Sequence, residues 1–161
     1  MSTERGNTRN GRRGFTLTEL MIVVSIMGLL LAVSVPAMGR FMQTWRLNGE
    51  VNQMATFLRL ARTAAVSKNT DVVFVFDATA GEYYYIEDTD GNGALNAGEY
   101  ASAVQTFPAG IGIDSYTIPQ QWITFGSRGN TVDGGSLILR NTRDTTKRIR
   151  VFSGTGNITI D

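Results

Sequence analysis

From Leu20 to Gly39 the chain runs for 20 residues without a charge, LMIVVSIMGLLLAVSVPAMG. As an α-helix rising ~1.5 Å per residue, that run is about 30 Å long, the thickness of a bilayer's hydrocarbon core. It is apolar on all sides, which argues against a helix laid on the core of a soluble domain. Residues 1–14, MSTERGNTRNGRRG, place Arg5, Arg9, Arg12 and Arg13 against the single acid Glu4. Basic residues ahead of a span keep the N-terminus in the cytoplasm and send the C-terminal body across. An ordinary secretory signal is the alternative, with Ala32-Val33-Ser34 as its small residues and Val35 near the mature start. The run is long for such a signal, and Glu19 sits at its front edge.

Glu19 admits two readings. A carboxylate near a membrane interior costs ~3 kcal/mol and usually marks function, such as waiting for a cationic partner from another chain. Alternatively it is a helix-start glutamate favoured by the helix dipole.

Behind the apolar run stand enough residues for one globular domain and little else, since the whole chain has 161. It contains no histidine and no cysteine. That excludes a Ser-His-Asp triad, a thiol nucleophile, a disulfide framework and a His/Cys zinc site, and leaves only hard-cation sites built from oxygen. No paired carboxylates stand apart from the loop described below, so a secreted enzyme has little support. The formal net charge is +1. Residues 1–14 hold four of the 15 positives and one of the 14 negatives, so the chain from Phe15 onward carries −2. The basic balance belongs to the N-terminal segment and is no argument for nucleic acid.

The segment RRG-FTLTELMIVVSIMGLLLAVSVPA resembles the class III signal of type IV prepilins and type II secretion pseudopilins. The resemblance implies that residues 1–14 are a leader, that a prepilin peptidase cuts between Gly14 and Phe15, and that Phe15 is then N-methylated. It implies assembly roles for Glu19 and Pro36, which stand at the offsets where that family carries a glutamate and a proline. The helix would sit first in the bacterial inner membrane, single-pass with a periplasmic body, and later in a filament core among other pilins or pseudopilins. There Glu19 would pair with the free amine of a neighbouring Phe15, since a buried charge is tolerated when paired. Pro36 removes a helix hydrogen bond and would kink or loosen the helix between the two settings. Ser25 and Gly28 offer small surface for close helix approach.

From Arg40 to Ser67 the pattern becomes amphipathic, with Phe41, Trp45, Asn48, Val51, Met54, Leu58, Ala61 and Ala65 at three- or four-residue steps. Arg59 and Arg62 flank that stripe. This predicts one helix over about 15–67, membrane-spanning over 15–39 and packed on a sheet over 40–67, ending near Lys68-Asn69. Strands are predicted at 71–77, 82–87, 102–107, 111–117, 121–125, 136–140, 147–152 and 157–160. Turns fall at Ala78–Gly81, Gly126–Gly129, Gly134-Gly135 and Gly154–Gly156. The expected class is α+β, a pilin-like body over 40–161 with its β portion at 70–161 on an antiparallel sheet. LRLARTAAVSKNTDVVFVFD (58–77) and the tail over 121–161 resemble the minor pseudopilin H/FimT type (GspH-like).

Residues 88–99, DTDGNGALNAGE, fit the twelve-residue EF-hand loop pattern. Asp88, Asp90 and Asn92 alternate, Gly93 gives the sharp turn, Ala94 offers its carbonyl, Asn96 binds directly or through water, and Glu99 closes the set. Alternate side chains in a tight loop converge on one point, supplying the roughly six to eight oxygens that calcium takes. The residues before the loop read as strand, so the loop is expected without the helix pair, with Ca2+ as a structural ion. A plain solvated Asp/Asn/Gly turn is the alternative. Arg140, Arg143, Lys147, Arg148 and Arg150 form a basic cluster, read first as a solvated strand face. The less favoured reading is a DNA-uptake subunit contacting phosphates there. Tyr83-Tyr84-Tyr85 reads as alternating core and surface rather than a base-stacking platform.

Overall fold

A computed structural model describes residues 14–161; the basic part of the expected leader lies outside the described residues. One α-helix, α1, spans Leu17–Lys68. Eight strands follow: β1 Asp71–Asp77, β2 Glu82–Asp88, β3 Gln105–Thr106, β4 Ile111–Tyr116, β5 Trp122–Phe125, β6 Gly135–Asn141, β7 Thr146–Val151 and β8 Ile158–Ile160. The chain divides into two units at Gly39/Arg40.

In the first unit the helix backbone passes through Pro36 without a break. Large apolar side chains from Leu17 to Val35 are all exposed. The hydroxyls of Ser25 and Ser34 donate to the carbonyls of Met21 and Leu30, at 2.8 Å each. These two hydroxyls are therefore satisfied within the helix, which suits a lipid setting.

In the second unit the strands form two antiparallel four-stranded sheets, ordered β3-β2-β1-β5 and β4-β6-β7-β8. Sequence reading gave one sheet; strand periodicity shows which residues face inward but not which strands share a ladder. Leu47, Val51, Met54, Ala55, Leu58, Ala61 and Ala65 of α1 share a core with Val72, Phe74 and Phe76 of the first sheet. Leu137, Leu139, Ile149 and Val151 of the second sheet complete it. The stripe begins at Leu47. Phe41 and Trp45, expected on it, are each 65% exposed, because at about 100° per residue they sit roughly 120° and 160° round the helix from Leu47.

The helix ends with Asn69 in the left-handed region (φ 52°) and Thr70 N donating to Ala65 O at 3.3 Å, a Schellman-type stop. The expected strand at 102–107 shrinks to the two residues of β3. Gly134-Gly135 is not a turn. Gly135 opens β6, and a Cβ at Gly134 would meet the backbone of Ser153 at 2.5 Å. A bulge between Ile113 and Ser115 in β4 re-aims the intervening Asp114.

Candidate assembly helix and candidate metal centre

Gly14 and Phe15 precede the helix, and the Phe15 ring is 88% exposed. Thr16 caps α1. Its Oγ1 accepts from Glu19 N at 3.2 Å, while Glu19 Oε2 accepts from Thr16 N at 2.8 Å and Thr16 Oγ1 at 2.9 Å. This reciprocal pair is a capping box, which satisfies helix-start N–H groups that otherwise lack partners. The helix-start reading of Glu19 thus has its contacts within one turn. The carboxylate makes no ion pair among the described residues.

The loop after β2 is organised around Asp88, which is 3% exposed. Its Oδ1 accepts from Gly91 N (2.8 Å) and Asn92 N (3.1 Å), and its Oδ2 from Gly93 N (2.7 Å). Gly91 and Gly93 hold φ of 76° and 74°, angles that need glycine and let the backbone wrap round that carboxylate. Glu99 closes the loop, accepting from Thr89 N at 2.8 Å and Asn96 N at 2.9 Å. Those backbone bonds, first from Asn96 and then from Thr89, hold its carboxyl below the usual range. One oxygen from each of Asp88, Asp90 and Glu99 lies within 4.8 Å of the others.

The remaining candidate ligands are turned differently. Asn92 Oδ1 accepts from Ala94 N at 2.7 Å and its Nδ2 donates to Asp90 Oδ2 at 2.9 Å. Asn96 Nδ2 donates to Asp90 Oδ2 at 3.1 Å and to Ala94 O at 3.3 Å. The loop therefore brings three carboxylates together, with Asn92 and Asn96 tying Asp90 and Ala94 as donors. A cation there would require the Asn96 amide to rotate. The three converging carboxylates fit a hard divalent cation.

The basic cluster is partly neutralised. Arg140 Nε meets Asp114 at 2.9 Å and its Nη1 meets Asp144 at 3.1 Å. Arg150 meets Asp161 at 3.2 Å and lies over the Phe152 ring at 5.9 Å. Arg148 and Lys147 make no ion pair among the described residues. Arg148 pairs with Ile138 in the ladder and Arg150 with Ser136, which sets both arginines on the face opposite Leu137 and Ile149.

Sequence reading missed the groups that fasten the helix to the strands and loops. Arg62 Nε donates to Gly129 O at 2.8 Å and its Nη2 to Thr155 O at 3.1 Å. Arg59 Nη2 donates to Ile158 O at 3.3 Å. Lys68 Nζ meets Glu87 Oε1 at 2.6 Å, and that bond is the main reason the Lys68 amine is pushed up. No local signal marks these residues as ties, because their partners are distant in sequence.

The family described as "Type II transport protein GspH" matches residues 50–156. The prokaryotic N-terminal methylation motif matches residues 9–35. The pilin-like protein PilA1 of Thermus thermophilus is 34% identical over 89 residues, covering 55% of this chain and 56% of its own. The type IV major fimbrial protein FimA of Dichelobacter nodosus is 32% identical over 108 residues, covering 63% and 61%. The chain thus spans less than two thirds of the length of each. Among solved structures, the minor pseudopilin EpsH of the Vibrio cholerae type 2 secretion system superposes with a TM-score of 0.57 at 14% identity, covering 72% of this chain and 96% of that one. The type IV minor pilin FimU of Pseudomonas aeruginosa gives 0.57 at 16% identity, covering 75% and 92%. Both show a shared fold.

Proposed function

The chain belongs to the type II transport protein GspH family, and on that footing we propose that it is a minor pilin or minor pseudopilin. It is a structural subunit, not an enzyme, and joins a type IV pilus or type II secretion filament through its N-terminal helix. The observation that carries this reading is the stretch Leu17–Val35, 0% buried, directly behind the Gly14-Phe15 junction of the methylation motif. Such a surface cannot stay in water and requires lipid or neighbouring helices. In this reading a prepilin peptidase frees and N-methylates Phe15, and the body of the subunit lies on the periplasmic side of the inner membrane. Mass spectrometry of membrane-extracted protein, with and without the cognate peptidase, tests it. An N-methylated Phe15 that appears only with the peptidase is expected; a start at Val35, or an uncut Met1, would overturn it.

Within the same function, Asp88, Asp90 and Glu99 hold a structural calcium ion, with the Ala94 carbonyl, Asn92 and Asn96 completing the set. Three crowded carboxylates repel, and a divalent cation turns that repulsion into a locked loop. Support comes from the convergence of the three carboxylates. Calorimetric titration of chelator-stripped protein with Ca2+ checks this, and absence of heat above that of the Glu99→Gln variant would remove the ion.

DNA binding by the Arg140–Arg150 face is the weaker reading. Arg140 and Arg150 are already held by Asp114, Asp144 and Asp161, so two of the five positives the face would offer to phosphates are partly neutralised. Salt-dependent DNA binding lost on reversing Arg148 and Arg150 would restore it.

A further inference from the structure

Two clefts on the second unit carry charged side chains, and they differ in one respect. In the first, Arg140 is bound to Asp114 and Asp144 and Thr142 to Gln43, so its polar groups already have partners. The second, of about 490 Å³, lies where β5 runs into the loop before β6. Asp71, Thr124, Ser127, Arg128, Asn130 and Asp133 line it. None of these six side chains has a hydrogen-bond or ion-pair partner among the described residues. The loop that carries most of them is nonetheless fixed. Gly129 N donates to Gly126 O at 2.7 Å and Gly126 N to Asn130 O at 2.9 Å, which puts Ser127 and Arg128 at the corners of a tight turn. Arg62 holds that turn to α1 through Gly129 O. Buried Thr131 accepts Asp133 N on its Oγ1 at 3.1 Å, which sets the backbone bearing that carboxylate. The lining is thus positioned before anything binds. Two apolar groups flank it. Val132 is 84% exposed at the cleft. Trp122, 42% exposed, stands on the same face of β5 as Thr124, about 7 Å along the strand.

The lining selects a class of ligand. Binding clefts are ordinarily apolar with a few polar groups; this one is mostly polar and would strip water from those groups for an apolar guest. Two carboxylates beside a lone guanidinium disfavour an anion, and they are too few for a hard cation, which takes about six or more oxygens. A neutral molecule dense in hydroxyls fits. It donates to Asp71 and Asp133, accepts from Arg128, and does both with Asn130, Ser127 and Thr124. A sugar ring offers such hydroxyls round its edge and a C–H face that packs on the electron-rich face of an indole. We propose that this cleft is a saccharide-binding site, in which Asp71, Asp133, Asn130 and Arg128 bind the hydroxyls of one ring and Trp122 stacks against the next. The site lies wholly in the second unit and is independent of which filament the subunit joins.

The test uses the full chain in amine-oxide micelles, a detergent without a sugar headgroup. It is titrated with chitotriose, cellotriose and maltotriose, which separate a β-linked amino sugar, a β-linked glucan and an α-linked glucan, and followed by saturation-transfer NMR. Saturable transfer to the ring protons of at least one of them is expected. Asp71→Asn combined with Asp133→Asn is expected to weaken that sugar at least ~10-fold, since each change turns an acceptor of hydroxyl protons into a group that is half donor. Neither carboxylate has a partner to lose, so the melting temperature of this variant should match the wild type. Trp122→Ala is expected to weaken binding several-fold, and Asp144→Asn, in the cleft whose groups are paired, to leave it unchanged. No saturable transfer from any of the three sugars would overturn the proposal, and so would an affinity unchanged in the doubly substituted chain.

Discussion

Arg62 donates its Nε proton to the carbonyl oxygen of Gly129 at 2.8 Å, a bond across 67 residues of sequence that fastens a helix to a loop. The same guanidinium reaches Thr155 O, so one planar fork holds two turns against α1. Those turns meet at Gly156, whose φ is 63° and whose Cβ, were there one, would run into the Gly129 oxygen. Gly156→Ala is expected to cost about 2 kcal/mol or more through backbone strain plus that clash. Arg62→Lys, a point charge that cannot fork, is expected to cost about 1 kcal/mol. Urea unfolding in mild detergent checks both. An unchanged midpoint for Gly156→Ala would show that the turn adapts.

Tyr83 is 1% exposed, and its hydroxyl has no hydrogen-bond partner of normal geometry among the described residues. Burial, reinforced by the Glu50 carboxylate, pushes its phenol up to about 12 against an opposing contribution from nearby Gln53. The unfolded chain releases that proton near pH ~10 while the folded chain retains it. Stability from this group is therefore full below pH ~10 and falls as pH rises toward 12. Tyr83→Phe is expected to leave neutral-pH stability unchanged or raise it by up to ~1 kcal/mol, and to flatten the alkaline loss. Thermal melts from pH 7 to 12 would show both. A clear neutral-pH loss would reveal a partner for the hydroxyl.

Glu99 is held by backbone N–H groups that lower its pKa. Its contribution to loop order is full above the ordinary carboxylate pKa and is lost as pH falls through the lower folded value. If calcium binds, excess Ca2+ raises the melting temperature of the wild type relative to chelator, as any native-state ligand does. Glu99→Gln and Asp88→Asn are expected to lose most of that rise. Equal calcium-dependent rises in wild type and both variants would place the ion elsewhere.

Glu19 combines two roles that one substitution separates. Glutamine serves in a capping box as glutamate does, so Glu19→Gln keeps the helix start and removes the charge. Far-UV circular dichroism is expected to be unchanged, and peptidase cleavage retained, while incorporation into filaments falls sharply for want of a partner to the Phe15 amine. Glu19→Ala would lose the cap as well, at about 1 kcal/mol. Normal filament incorporation of Glu19→Gln would reduce Glu19 to a cap.

Much of this architecture is written locally. The β1 run DVVFVFD is apolar enough to be buried on both faces, and Val72, Val73 and Phe74 are each 0% exposed. The β1–β2 hairpin follows from Asp77, whose Oδ1 takes Thr79 N and Ala80 N, and from Gly81 at φ 71°. The acidic loop is legible because its glycines and carboxylates are spaced by the geometry of a single tight turn. Phe41 and Trp45 misled because a helical period says that residues share a side, not that the side is covered.

The sequence by itself determined the helix from its charge-free and amphipathic runs, the strands and most turns, and the grouping of Asp88, Asp90 and Glu99. All of these depend on interactions within a few residues. Only the tertiary structure decided the split into two sheets, the start of the buried stripe at Leu47, and the capture of Gly129 and Thr155 by Arg62. It also decided the pairing of Arg140 with Asp114. These outcomes depend on groups brought together from distant parts of the chain, and no local pattern encodes which distant carbonyl or carboxylate a side chain will meet.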